Sequence, residues 1–182
     1  MRRAVLLLTM LATTLLVTSG VAWAAVSEVG GPGDDAIVGT EGDDALAGGG
    51  GSDSVSGVGG DDFMDGGPPA TPTKPPAREA PPNADLLMGG EGEDDIDGNL
   101  GPDRIVGGPG DDFLADGEQG GGEGDLLIGG EGDDALLPGN EPAAKDVALC
   151  GPGNDVVFAD RTDVLVDCER VLFRPPIPAD FQ

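Results

Sequence analysis

Residues 30–65 read GGPGDDAIV, GTEGDDALA, GGGGSDSVS and GVGGDDFMD without a gap, four segments of nine residues each. Every segment has aspartate sixth, at Asp35, Asp44, Asp53 and Asp62, and a larger apolar side chain eighth, at Ile37, Leu46, Val55 and Met64. A fixed period of this kind marks a coiled repeat, because one unit cannot bury its apolar residue alone and must share a core with its neighbours. An apolar residue flanked by variable ones fits a short strand with its middle side chain inward. The glycine-rich first four positions fit a tight turn, since glycine reaches backbone conformations closed to other residues. Each unit therefore reads as a turn followed by a strand.

The period returns further along the chain. A partial unit ends in NADLLM, followed by GGEGEDDID, GNLGPDRIV and GGPGDDFLA through Ala115, then GGGEGDLLI from Gly120, GGEGDDALL from Gly129, EPAAKDVAL from Glu141 and CGPGNDVVF from Cys150. These units add Asp85, Asp94, Asp103, Asp112, Asp125, Asp134, Asp146 and Asp155 to the sixth column. The eighth column continues through Leu87, Ile96, Ile105, Leu114, Leu127, Leu136, Ala148 and Val157 and is weakest at Ala148.

The chain carries 35 acidic and 9 basic residues, no histidine, and a formal charge of −26. Such a charge repels nucleic acid and anionic membrane, so neither is expected as a partner. Stacked coils would bring equivalent aspartates to about 4.8 Å, the spacing of neighbouring strands. There two carboxylates repel by about 4 kcal/mol at an effective dielectric near 20. A hard divalent cation between the turns reverses the sign of that interaction. Calcium suits an inventory of aspartate carboxylates and turn carbonyls; magnesium demands a smaller octahedral site and keeps its waters. Zinc and copper are disfavoured by the absence of histidine and the presence of only two cysteines.

These units resemble the G-G-x-G-x-D-x-U-x nonapeptide of RTX, or haemolysin-type, calcium-binding repeat proteins, with GGPGDDAIV and GGPGDDFLA matching at every defined position. The resemblance implies an all-β fold, a right-handed parallel β-roll with two units per coil. It also implies several calcium ions held between turns, with the twelve sixth-position aspartates as carboxylate ligands. The transfer is fullest where glycine stands fourth; Asn83, Glu123 and Ala144 depart from that in the units of Asp85, Asp125 and Asp146. The fifth-position acids Asp34, Asp43, Asp61, Glu93, Asp111 and Asp133 read mainly as solvent-facing charges that keep a sheet edge from aggregating, with a ligand role as the alternative.

Outside the repeats, Arg2 and Arg3, an apolar run over residues 4–17 and the small residues around Ala22-Trp23-Ala24 form the pattern of a cleaved export signal over residues 1–24. The residues after the arginine pair favour the general secretory route over the twin-arginine route. Removal of this segment leaves 7 basic against 35 acidic residues, a charge of −28, no membrane span, and an expected extracellular location. Residues 25–29 are then a short lead, 30–65 a first block of repeats, 83–158 a second block, and 159–182 a C-terminal cap and tail. Residues 66–82 hold seven prolines, a density no β ladder accepts, and read as an extruded loop or as a hinge between two rolls. Small insertions at residues 116–119 and 138–140 are expected to bulge at turns.

In an exported chain Cys150 and Cys168 read as a disulfide. The surrounding segment, residues 150–172, resembles the C-terminal cap of secreted actinobacterial proteins of this repeat type. In it Val164, Val166, Val171 and Phe173 are candidates to cover the open end of the roll.

The expected function is that of a calcium-responsive structural or binding module that folds on binding calcium. An adhesion or matrix role, with cell wall, polysaccharide or another copy as partner, is the first alternative. Phe63, Leu86, Phe113, Leu126 and Phe158 would be its outward apolar residues. A polysaccharide- or protein-acting enzyme is the second. It is disfavoured because no histidine or tyrosine is present and the repeats occupy most of the chain, so no catalytic residues are expected.

Overall fold

The computed structural model describes residues 25–67, 84–117, 124–139 and 144–173; the expected signal segment and most of the proline-rich segment lie outside them. Fifteen strands and no helix occur among the described residues, so none contains a helix long and apolar enough to cross a membrane. In chain order the strands are β1 (Ser27–Val29), β2 (Ala36–Val38), β3 (Ala45–Ala47), β4 (Ser54–Gly59), β5 (Phe63–Asp65), β6 (Leu86–Glu91), β7 (Asp95–Asp97) and β8 (Arg104–Pro109). They continue as β9 (Phe113–Ala115), β10 (Leu126–Glu131), β11 (Ala135–Leu137), β12 (Val147–Leu149), β13 (Val156–Ala159), β14 (Val164–Val166) and β15 (Arg170–Phe173).

Consecutive strands alternate between two parallel sheets. The odd-numbered strands form an eight-stranded sheet in chain order, and the even-numbered ones a seven-stranded sheet. Two nonapeptides thus complete one coil, and each strand pairs with the strand two places on. The eighth-position residues are in register, as in Leu46 with Met64 and Ile37 with Val55. They fill the space between the sheets: Leu87, Ile96, Ile105, Leu114, Leu127, Leu136 and Val157 are fully buried, and Ala148 joins the same cluster. The core is one inward side chain thick per strand, so its continuity depends on every unit keeping that column.

Strands on either side of the proline-rich segment pair directly, β4 with β6 and β5 with β7, so both sheets run through that point. Gly66 and Gly67, expected to begin the interruption, are buried first and second residues of a turn. The insertions near residues 116–119 and 138–140 leave the register intact, with Leu126 opposite Arg104 across the first and opposite Val147 across the second. Asp116 and Pro138, however, are buried.

The ends differ from expectation. Residues 27–29, read as a lead, form β1 and pair with β3, which places Glu28 beside Leu46. At the other end the roll continues through β14 and β15, which pair with β12 and β13. Val164, Val166 and Phe173 are exposed, the first two because strand alternation turns them outward; Leu165, Cys168 and Val171 pack against the core. Of the four expected cap residues, only Val171 packs against the core. Cys150 and Cys168 are disulfide-bonded, with Cα atoms 5.1 Å apart.

Candidate metal centre

The sixth position lies where each turn enters its strand, and stacking sorts its aspartates into two columns, one beside each sheet. One column runs Asp35, Asp53, Asp85, Asp103, Asp125, Asp146; the other runs Asp44, Asp62, Asp94, Asp112, Asp134, Asp155. Within each column a carboxylate Oδ1 accepts the backbone N–H of the aspartate one coil earlier, at 2.7 to 2.9 Å. All twelve predicted residues therefore take part in the ladders, Asp146 included, although Ala144 stands two residues before it.

Both columns extend beyond the sequence reading. Asp163 Oδ1 accepts from the Asp146 amide at 3.3 Å, and Glu169 Oε2 from the Asp155 amide at 3.1 Å. At the start, the Val26 amide donates to Asp44 Oδ1 at 2.6 Å. The shortened spacing after Asp155 hides Asp163 and Glu169 from a strict nine-residue register. Their recoverable signal is the acid two residues before Leu165 and Val171.

The second carboxylate oxygen separates interior turns from terminal ones. In Asp53, Asp62, Asp85, Asp94, Asp103, Asp112, Asp134, Asp146 and Asp155, Oδ2 is buried and receives no hydrogen bond. In Asp35, by contrast, Oδ2 accepts the Gly31 amide, in Asp44 the Thr40 amide, and in Asp163 the Asp160 amide at 2.8 Å. A turn's second residue makes this difference. It has positive φ in interior turns, as at Gly90 (128°) and Gly130 (135°), whereas Gly31, Thr40 and Asp160 are not in that region. The first residue of the turn is equally constrained: a Cβ at Gly57 would collide with Asp62 Oδ2.

A buried anionic oxygen without a donor is costly unless it is protonated or meets a cation. Burial foremost, and the neighbouring aspartates with it, raise Asp62, Asp85, Asp134 and Asp146 to about 6 and Asp103 and Asp112 to about 7, against the lowering effect of the Oδ1 hydrogen bond. The donor set fits calcium, with hard oxygens that recur at each coil and no nitrogen or free thiolate. On that fit the interior Oδ2 atoms would hold the ions, which supply the positive charge that allows the carboxylates to stay ionised together.

The fifth-position acids form a separate, exposed ladder of opposite sense. Asp34, Asp43, Asp61, Asp111 and Asp133 accept from the amides of Ser52, Asp61, Glu93, Asp133 and Asn154 one coil later. Among the outward apolar residues, Phe63, Phe113 and Phe158 are exposed in the eight-stranded sheet. They do not form a stripe: Asp95 lies in register between Phe63 and Phe113, and Arg104 lies between Leu86 and Leu126.

One acidic residue of the interior escaped the sequence reading. Asp116 follows Ala115 just as Gly98 follows Asp97, and Asp97 is in register with Ala115, so Asp116 fills the first place of a turn. It was hidden because the glycine run that begins at Gly120 reads as the start of the unit. Asp116 is buried, and one oxygen each from Asp116, Asp125 and Asp146 lie within 4.8 Å of one another.

Comparison with curated proteins and with solved structures yields no match. The family model described as the RTX calcium-binding nonapeptide repeat (4 copies) matches residues 29–67, 83–115 and 119–140, together more than half of the chain. With its period, its paired parallel sheets and its stacked aspartates, the chain belongs to the RTX calcium-binding nonapeptide repeat family.

Proposed function

We propose that this chain is an exported structural or binding module whose roll forms when calcium enters the interior turns. The supporting observation is the row of nine buried sixth-position Oδ2 atoms with no hydrogen-bond donor. Without a cation, the columns must either take up protons or stay apart, and at neutral pH separation means unfolding. With cations bound only by the folded chain, folding and binding become one equilibrium. The ligands in this reading are the interior sixth-position aspartates. The carboxylates of Asp44 and Asp163 already hold backbone amides on both oxygens, Asp35 holds one on Oδ2, and all three serve the ends of the roll. Export is supported by the signal-like pattern of residues 1–24 and by the disulfide. A non-catalytic role is supported by the lack of histidine and tyrosine and by the use of the buried carboxylates in the repeat itself.

Calcium titration of the chain, followed by circular dichroism and small-angle scattering, tests this reading. An expanded, disordered chain in chelator should become compact and β-rich as calcium rises to millimolar levels. Equal compactness in excess chelator at pH 8 would refute it.

A further inference from the structure

The first place of a turn faces the carboxylate of its own unit. It is glycine in most described turns, as at Gly48, Gly66 and Gly98 in the column that leads to Asp116, because a Cβ there would crowd the sixth-position Oδ2. Asp116 puts a whole carboxylate in that place. Four extra residues separate Asp103 from Asp125, relative to two nonapeptides. The result is three acidic side chains where the other interior steps have two, all of them buried.

Asp146 supplies an independent sign that the group is built around something. It is fully buried, its Oδ1 is engaged by the Asp125 amide at 2.9 Å, and its buried Oδ2 has no hydrogen-bond donor. Oxygens that share a calcium ion at roughly 2.3–2.6 Å lie at most about 5 Å apart, whereas on magnesium, at roughly 2.0–2.1 Å, the limit is about 4 Å. The three oxygens, all within 4.8 Å of one another, lie within the span that one calcium ion bridges. Deep burial also disfavours magnesium, which keeps several of its waters.

We propose that Asp116, Asp125 and Asp146 form a three-carboxylate calcium site, the tightest in the molecule, with Asp116 as a ligand outside the nonapeptide pattern. The proposal rests on the calcium reading above and goes beyond it in naming one site and one residue.

Equilibrium dialysis with radioactive calcium at pH 8 compares the chain with Asp116→Gly, which restores the repeat residue, and with the near-isosteric Asp116→Asn. Both variants should lose the tightest binding event or weaken it at least tenfold, with the remaining events retained. Number and affinity equal to the parent in both variants would overturn the assignment of Asp116 while leaving the wider calcium reading intact. A parent chain that binds no calcium would overturn both. Because either variant could fail to fold, crystals of the parent grown with terbium give a second measurement. Anomalous density among the three carboxylates supports the site, and its absence there while other turns are filled refutes it.

Discussion

Val58 shows how closely one backbone position is specified. It is the second residue of its turn, where the repeat has glycine, and it holds φ at 94°, a region hostile to a β-branched side chain. Its neighbour across the ladder, Gly90, adopts φ of 128° without that penalty. Releasing a left-handed non-glycine residue gains roughly 1–2 kcal/mol, and the added freedom of glycine in the unfolded chain gives back roughly 0.5–1 kcal/mol. Val58→Gly should therefore stabilise the calcium-loaded roll by about 1 kcal/mol. Denaturant unfolding at fixed calcium checks this, with an unchanged or lower midpoint as the contrary result. Asn99, at φ 68°, meets the same demand differently: its side chain donates to Asp65 Oδ1 at 2.7 Å, and asparagine tolerates this region.

Among the elements, the last two strands are the least supported. Their turns are short, Val164 and Val166 stand exposed, and Leu165 and Val171 are only partly buried. The disulfide ties Cys150, at the start of the unit before them, to Cys168, at the entry to β15. Closing a loop of 18 residues stabilises by roughly 3 kcal/mol on the chain-entropy model. With calcium present, Cys150→Ser/Cys168→Ser should lose amide protection in β14 and β15 first, while β6, β8 and β10 keep theirs; hydrogen exchange resolved by strand measures this. The interior strands were legible in the sequence because Asp and an aliphatic residue recur two positions apart in nearly every unit. β1 was not, since Glu28 occupies the aliphatic column, and β14 and β15 were blurred by spacings of eight and then six residues between Asp155, Asp163 and Glu169. The ligand type was readable from composition. Which oxygens lack a donor was not, because that depends on the backbone turning the second residue's amide toward or away from the carboxylate.

For the whole molecule, the raised carboxylates make stability depend on pH in a direction opposite to most acidic proteins. Each has a higher pKa in the roll than the usual 3.8, so the folded chain binds more protons than the unfolded one between about 4 and 8. In chelator the contribution of these groups is fully present below about pH 4 and is lost as pH rises through about 6, 7 and 8, the values of Asp62, Asp103 and Asp116. Circular dichroism in chelator should then show a gain of β structure on acidification from pH 8 to pH 5. Calcium affinity should move the other way and weaken on acidification, because binding must displace those protons. A signal independent of pH in chelator would contradict the burial of these oxygens.

Among the described residues, the eight-stranded sheet ends at β1 and β15 and the seven-stranded sheet at β2 and β14. Exposed strand rims invite end-to-end joining of molecules into fibres. In the eight-stranded sheet the two rims do not match. The leading one offers Glu28 in line with the aliphatic column, and the trailing one offers Val171. A second molecule docking there would have to desolvate a carboxylate against an apolar side chain. That single glutamate sets a desolvation cost on end-to-end stacking through this sheet.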